Sequence, residues 1–172
     1  MGVIGIERKE LQRKHPRLKK YNYSSAGAYF VTICSQDKQC IFSHISEAQA
    51  DGVKIVYSNI GRIAEKQLLL LEERYLCLTV DCYVIMPNHI HVIFRISNNE
   101  GESDINPTIM DIVCTYKSLT ARECKNNGFT GKLFQTSFYE HVIRGRSDYE
   151  QIVKYIFETP LCWYYDELNK EK

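Results

Sequence analysis

No run of apolar residues approaches the ~20 that a membrane-spanning helix needs. The N-terminus is basic and lacks the apolar centre of a secretory signal. These absences predict a cytoplasmic protein that does not enter the membrane. No C-x-x-C pair occurs among the seven cysteines, at positions 34, 40, 77, 82, 114, 124 and 162. An odd count without paired spacing argues against a disulfide framework and against a cysteine-based zinc site. Cys34, Cys77 and Cys82 sit in apolar, strand-like runs, where a reduced thiol behaves as a small hydrophobe. Internal repeats are absent. Net charge is nearly absent too, at +1, but the charge is unevenly spread. Arg8, Lys9, Arg13, Lys14, Arg17, Lys19 and Lys20 face only Glu7 and Glu10 in the first twenty residues. Such an arm suits a polyanion. A solvated tail is the bland alternative.

What is present fits one globular unit. The chain has 172 residues, 44% of them hydrophobic and 25% charged, enough for a single core. The expected division is a basic arm over 1–20 and one domain over 21–172. Ala28–Ser35 is β-branched and aromatic and reads as a strand; Gln39–His44 and Val53–Tyr57 are weaker strand candidates. Ile60–Arg74 reads as a helix, Cys77–Met86 as a buried strand, Pro87-Asn88 as a turn and His89–Ile96 as the returning strand. Ser97–Pro107 is a polar loop. Ile109, Ile112, Val113 and Tyr116 recur at helical spacing after Asn106-Pro107-Thr108. Leu133–Ile143 reads as extended. Ser147, with Glu150 three residues on, forms a capping box for a last helix, Ser147–Glu158. Strands and helices intermixed around a hairpin give an α+β fold. The simplest arrangement is a ferredoxin-like or RRM-like antiparallel sheet with helices packed on it.

The chemistry concentrates in Tyr83–Phe94, YVIMPNHIHVIF. Side chains alternate along a strand, so His89, His91 and Ile93 share one face, and Ile90, Val92 and Phe94 fill the core on the other. Two imidazoles ~7 Å apart along one strand suit two ligands of one metal ion; the bland alternative is a pair of polar residues on a solvated face. A last helix over Ser147–Glu158 would bury Tyr149, Ile152, Val153 and Ile156 as a stripe. Tyr155 lies roughly 110° from its middle, at the flank, at ~3.6 residues per turn. Twelve tyrosines are present, and Tyr139, Tyr164 and Tyr165 remain competitors for any nucleophilic role.

Three stretches, in order and spanning most of the chain, resemble the REP-associated tyrosine transposases, single-tyrosine nucleases with an HUH histidine motif. They are RLKKYNYSSAGAYFVTICSQDKQCIF, YVIMPNHIHVIF and LFQTSFYEHVIRGRSDYEQIVKYIFETPLCW. The resemblance implies that His89 and His91 hold a divalent metal, Mg²⁺ or Mn²⁺. It also implies that Tyr155, in YIFETP, is the nucleophile. The family's chemistry is nicking of single-stranded DNA through a 5′-phosphotyrosine link, at sites that join a hairpin to a single-stranded flank. Relatives act as monomers or as homodimers. One departure stands out: the family has asparagine one turn after the tyrosine, where this chain has Thr159. Glu158 is a stronger ligand but points ~60° away from Tyr155 at ~3.6 residues per turn, so the third ligand is open between them.

Asn88, Glu140 and His141 are candidates for supporting the site, the last two with a structural alternative as braces of their strand. Lys19, Lys20, Lys117, Arg122, Lys125, Arg144 and Arg146 are candidates for phosphate contact. Tyr21 and Tyr23 are weaker candidates for stacking on bases. Two other functions fit the same residues: a non-catalytic nucleic-acid-binding domain on this fold, which the missing asparagine favours, and an unrelated metallohydrolase that uses the histidines without a tyrosine.

Overall fold

Two alternations of apolar residues meet in one sheet. The structure, a computed structural model, describes residues 24–49, 52–98 and 107–170. The basic arm 1–20 with Lys19 and Lys20, and Tyr21 and Tyr23 beyond it, lie outside the described residues. Strand β1 (Gly27–Cys34) is central, and β5 (His89–Ile96) pairs with it antiparallel along its whole length, from Gly27↔Ile96 to Cys34↔His89. On the other side of β1 lies β6 (Tyr139–Ile143), and outside β5 lies β4 (Leu78–Ile85), giving the order β4-β5-β1-β6. Helix α1 (Asn59–Arg74) lies between β1 and β4 in sequence, and α2 (Ile109–Asn126) between β5 and β6. The resulting β-α-β-β-α-β order is the expected ferredoxin-like arrangement. Two additions decorate it. A separate antiparallel ribbon, β2 (Ser43–Gln49) with β3 (Gly52–Tyr57), precedes α1, and a long helix α3 (Arg146–Lys170) ends the described chain.

The period-2 alternation of β1 and β5 sorts the core. Tyr29, Val31 and Ile33 of β1 and Ile90, Val92 and Phe94 of β5 are fully buried on one face. There they meet Ala64, Leu68 and Leu71 of α1 and Ile109, Ile112, Val113 and Tyr116 of α2. Each such fully buried aliphatic or aromatic side chain contributes about 1.5–3 kcal/mol. A smaller cluster on the other face joins Phe30, Val84, Met86, Ile93 and Ile156, with Ile45 and Ile55 of the ribbon packed at its edge. Helix α3 and the ribbon thus cover part of the face that carries the histidines.

Several expectations are corrected. Gln39–Phe42 is loop, not strand: the Ile41 N–H turns back to the Gln39 carbonyl and the Phe42 N–H reaches the Pro87 carbonyl, so neither joins a ladder before β2 starts at Ser43. Strand β4 is a sheet edge rather than a wholly buried strand, with Thr79 and Asp81 exposed. Ser147 does not cap the last helix, which already begins at Arg146. Instead the Asp148 carboxylate accepts the Arg144 backbone N–H at 2.7 Å, while Glu150 pairs with Arg146 at 2.7 Å. Nor does the helix stop at Glu158. It runs through Pro160, which is buried and costs it one backbone donor.

Helix α1 starts against the loop that leads to the site. Ser58 caps it by accepting the Gly61 N–H at 3.0 Å, and its hydroxyl stands 2.6 Å from the Ile41 carbonyl oxygen. Gly61 has no room for a side chain, because a Cβ there would stand 2.0 Å from the Phe42 carbonyl oxygen. The neighbour is backbone and cannot rotate away. Gly61→Ala, which would favour an isolated helix, is therefore expected to lower stability by about 3 kcal/mol, the upper end of overpacking costs. The denaturant midpoint of the variant measures it, and an unchanged or raised midpoint would contradict the close approach.

Candidate functional site

The pairing of β1 with β5 places Thr32 beside His91 and Cys34 beside His89, and β6 adds Tyr139 beside Thr32. Paired residues of an antiparallel ladder point to the same face, so Tyr139, Thr32 and His91 form one row and Cys34 and His89 the next. The imidazole centroids of His89 and His91 are 4.5 Å apart, with planes at 68°. The two rings converge on one small volume, as two ligands of one ion must.

Hydrogen bonds fix which nitrogen of each ring is available. His89 Nδ1 lies 2.7 Å from Asn88 Oδ1. An amide oxygen only accepts, so Nδ1 carries the proton and Nε2 keeps its lone pair. His91 Nδ1 lies 2.9 Å from Thr32 Oγ1, and its Nε2 stands 3.4 Å from the Tyr155 hydroxyl. If the phenol donates to Nε2, Nδ1 must hold the proton and donate it to Thr32. Both rings then present Nε2, each braced through Nδ1 in the way that protein ligands of metals are usually braced. Both are also neutral at physiological pH. Burial, and then the charge of Lys38, pushes His89 down to about 4. Burial, and then His89, pushes His91 down to about 3. A neutral imidazole is the form that binds a metal.

Tyr155 arrives from α3. Ile156 is buried against the sheet, with Tyr149, Ile152 and Val153 around it, so the stripe read from the sequence is the one that packs. Tyr155, next to it, is half exposed at 51% and stands edge-on to Phe30, with centroids 6.1 Å apart at 88°. The same helix places the Trp163 ring 5.8 Å from His89. Tyr164 and Tyr165 pack against each other, and Tyr139, half exposed, is two strands away from His91.

Other expected site residues fall elsewhere. The Thr159 hydroxyl donates to the Tyr155 carbonyl of its own helix at 2.7 Å, and Glu158 faces Lys154 at 3.7 Å. Neither is turned to the histidines in this arrangement, and among the described residues no group of three His, Cys, Asp or Glu could hold a metal. Lys117 is half-buried and already engaged: its Nζ donates to the carbonyls of Gln135, Thr136 and Ser137, tying down the loop before β6. Arg122 and Lys125 are exposed, but α2 covers the sheet face opposite the histidines. Arg144 and Arg146 are exposed beyond the far end of β6, about 14 Å along the strand from Tyr139. His141 Nε2 pairs with Asp148 at 3.0 Å and braces β6 to the first turn of α3. Glu140 is buried on the helix-covered face, opposite Val31. Sequence reasoning missed Thr32, Phe30 and Trp163. Alternation within AYFVTICS put Phe30 and Thr32 on one face, but nothing local showed that β5 would pair with it.

The buried histidines set a pH dependence. Each has a folded value below the 6.5 of an exposed imidazole, so the unfolded chain takes up protons that the folded one refuses. Their contribution to stability is full above about 6.5 and is lost as the pH falls through that value toward about 4 and about 3. The denaturant midpoint of the protein in chelator is expected to drop between about pH 7.5 and pH 5, and the drop should shrink in His89→Gln/His91→Gln. Equal drops in both proteins would refute the burial.

No protein-family model matches the chain. An uncharacterized protein of Haemophilus influenzae is 31% identical over 171 residues, covering 91% of this chain and 92% of its own length. A second protein of that organism, named "Putative REP-associated tyrosine transposase", is 26% identical over 156 residues, covering 87% of this chain and 79% of its own. Among solved structures, a REP-associated tyrosine transposase bound to a REP hairpin shares the fold with a TM-score of 0.58 at 16% identity, over 84% of this chain and 72% of that one. A candidate transposase from Deinococcus radiodurans R1 does so with a TM-score of 0.50 at 14% identity, over 83% and 95%. The chain is thus similar in sequence to the second of these proteins and shares its fold with the solved REP-associated tyrosine transposase.

Proposed function

We propose that the chain is a metal-dependent nuclease and strand transferase for single-stranded DNA, with Tyr155 as nucleophile and His89 and His91 as ligands of Mg²⁺ or Mn²⁺. The observation that carries this reading is the 3.4 Å approach of the Tyr155 hydroxyl to His91 Nε2, in a pair whose Nδ1 atoms are already engaged. The residues fit two ligands of an ion, and phosphate oxygens and water would supply the remaining positions, as magnesium sites often require. When bound, the ion would polarise a phosphoryl oxygen and stabilise the charge that develops in an in-line displacement.

The chain's own residues do the rest. Tyr155 is held at the rim of the cleft by Ile156 beneath it, with its hydroxyl toward the histidines. Its oxygen would attack phosphorus, and the bond from phosphorus to the 3′ oxygen would break. The products are a 5′-phosphotyrosine and a free 3′-hydroxyl, and because the bond energy is kept, the strand can be rejoined without ATP. A phenol is a weak nucleophile at neutral pH without help. His91, held at about 3, is a poor base for it, which favours the ligand role of that ring. The solved relative bound to a REP hairpin supports a hairpin as one part of the substrate.

One observation favours a second reading, a non-catalytic DNA-binding domain: Thr159 stands where the family has asparagine, and its hydroxyl is spent on its own helix. A single assay separates the two. With a labelled hairpin carrying a single-stranded flank and Mn²⁺, the wild type is expected to form a denaturation-resistant adduct, and Tyr155→Phe none. Adduct from Tyr155→Phe would reassign the nucleophile, and DNA binding without adduct under any metal would support the second reading. Hydrolysis that survives Tyr155→Phe with no adduct would point to a metallohydrolase without a tyrosine. His89→Ala should lose cleavage while keeping DNA binding. Thr32→Val, which removes the brace of His91 Nδ1, should lower the rate of adduct formation by about 10–100-fold; an unchanged rate would show that the brace does not matter.

A further inference from the structure

Helix α3 reaches the histidine pair at both ends. Tyr155, Thr159 and Trp163 follow one another at intervals of four residues, so they form a single row along one side of the helix. The Tyr155 ring lies 5.2 Å from that of His91. The Trp163 ring lies 5.8 Å from that of His89, with the planes at 51°. The two imidazoles are themselves 4.5 Å apart. The order across the cleft is therefore Tyr155, His91, His89, Trp163, with the tyrosine at one end and the indole at the other. Eight residues of helix separate those ends by about 12 Å.

Packing does not account for the whole of the indole. Trp163 rests on the small cluster that contains Ile156. Ile156 is only 1% exposed, whereas Trp163 stays partly exposed and has an imidazole as its neighbour. A flat ring that is anchored on apolar residues and still open to the cleft is what an unpaired base stacks on. The displacement adds a direction. In an in-line reaction the attacking and departing oxygens stand on opposite sides of phosphorus. With Tyr155 at the His91 end, the departing oxygen faces the His89 end, where Trp163 stands.

We propose that Trp163 stacks on the base of the nucleotide that carries the departing 3′ oxygen. This rests on the nuclease reading above and adds a substrate-binding residue to it. The stacked base holds the free 3′-hydroxyl beside the phosphotyrosine after the bond breaks, so the strand is kept for rejoining.

Trp163 is the sole tryptophan of the chain, so tryptophan emission reports on this ring alone. In the Tyr155→Phe protein with chelator present, a single-stranded oligonucleotide is expected to quench that emission in step with its binding, which anisotropy measures independently. A strand of abasic residues of the same length should bind without quenching. Trp163→Leu keeps an apolar side chain on the cluster. It should weaken binding of the intact strand about tenfold, the loss of one stacked base, and leave binding of the abasic strand unchanged. Trp163→Phe should restore most of the affinity. Unchanged emission at saturation, or an equal weakening of both strands in Trp163→Leu, would overturn the stacking. The nick mapped with the wild type and Mn²⁺ then tests the side. One abasic residue immediately 5′ of the nick should weaken binding to Tyr155→Phe about tenfold and have no effect once Trp163→Leu is added. That behaviour from the residue 3′ of the nick would refute the assignment to the departing nucleotide. An adduct from the wild type without quenching defeats only the stacking. Quenching with no adduct under any metal defeats the nuclease reading, and with it the departing nucleotide.

Discussion

The antiparallel register between β1 and β5 is the constraint on which the rest of the site depends. It sets Cys34 against His89 and Thr32 against His91, and so decides which face receives the imidazoles. A slip of one residue would turn His89 and His91 toward α1 and α2 and bring Ile90, Val92 and Phe94 to the cleft. Burial prevents this. Ile90, Val92 and Phe94 are fully buried in the larger core, and the slip would give up that apolar burial and place two imidazoles among Leu68, Leu71 and Ile112. The polar site is thus held in place chiefly by the apolar residues that alternate with it.

Around that register, the structure keeps two imidazoles neutral even where the pH falls below the 6.5 of an exposed ring. His91 is only 4% exposed, and a buried polar ring is tolerated because Thr32 and Tyr155 stand at its two nitrogens. Asn88 does the same for Nδ1 of His89. These neighbours orient the rings as well as satisfy them, and for that reason the corner Pro87-Asn88 is tied so closely to Ser35 and Phe42. The close packing of Gly61 on Phe42 belongs to the same scaffold. The start of α1 packs on Phe42, and the Phe42 N–H is hydrogen-bonded to Pro87 at the histidine corner.

Helix α3 supplies the remaining element and shows how one residue step separates structure from chemistry. Ile156 is buried and Tyr155 is half exposed, so the helix is anchored by one and presents the other. Asp148 holds its first turn to Arg144 and His141, which ties the helix to β6 and therefore to the sheet that carries the histidines. Glu140 and His141, adjacent in sequence, go to opposite faces of that strand, one into the core and one to this brace. Lys117 plays a comparable part from the other layer by holding the loop that leads into β6.

Much of this was legible in the sequence because it is local and periodic. The alternation in HIHVIF assigned the histidines to one face and the core to the other, and the spacing of Tyr149, Ile152, Val153 and Ile156 put Tyr155 at the flank of its helix. Errors arose where a short-range pattern had more than one solution. Ser147 with Glu150 satisfies a capping box on paper, yet the helix already begins at Arg146, and it is the Asp148 carboxylate that ties its first turn back to the Arg144 N–H and His141. Lys117 reads as a solvated charge until the loop 135–137 folds over it. The sequence by itself determined the two imidazoles, their common face and the tyrosine's place on its helix, since these follow from residue order and backbone period. Only the tertiary structure decided that Thr32, 59 residues from His91, would brace it, and that Tyr155 would meet it from a further 64 residues on. Those contacts join segments far apart in the chain, and it is the burial of the sheet as a whole, which no local pattern records, that brings them together.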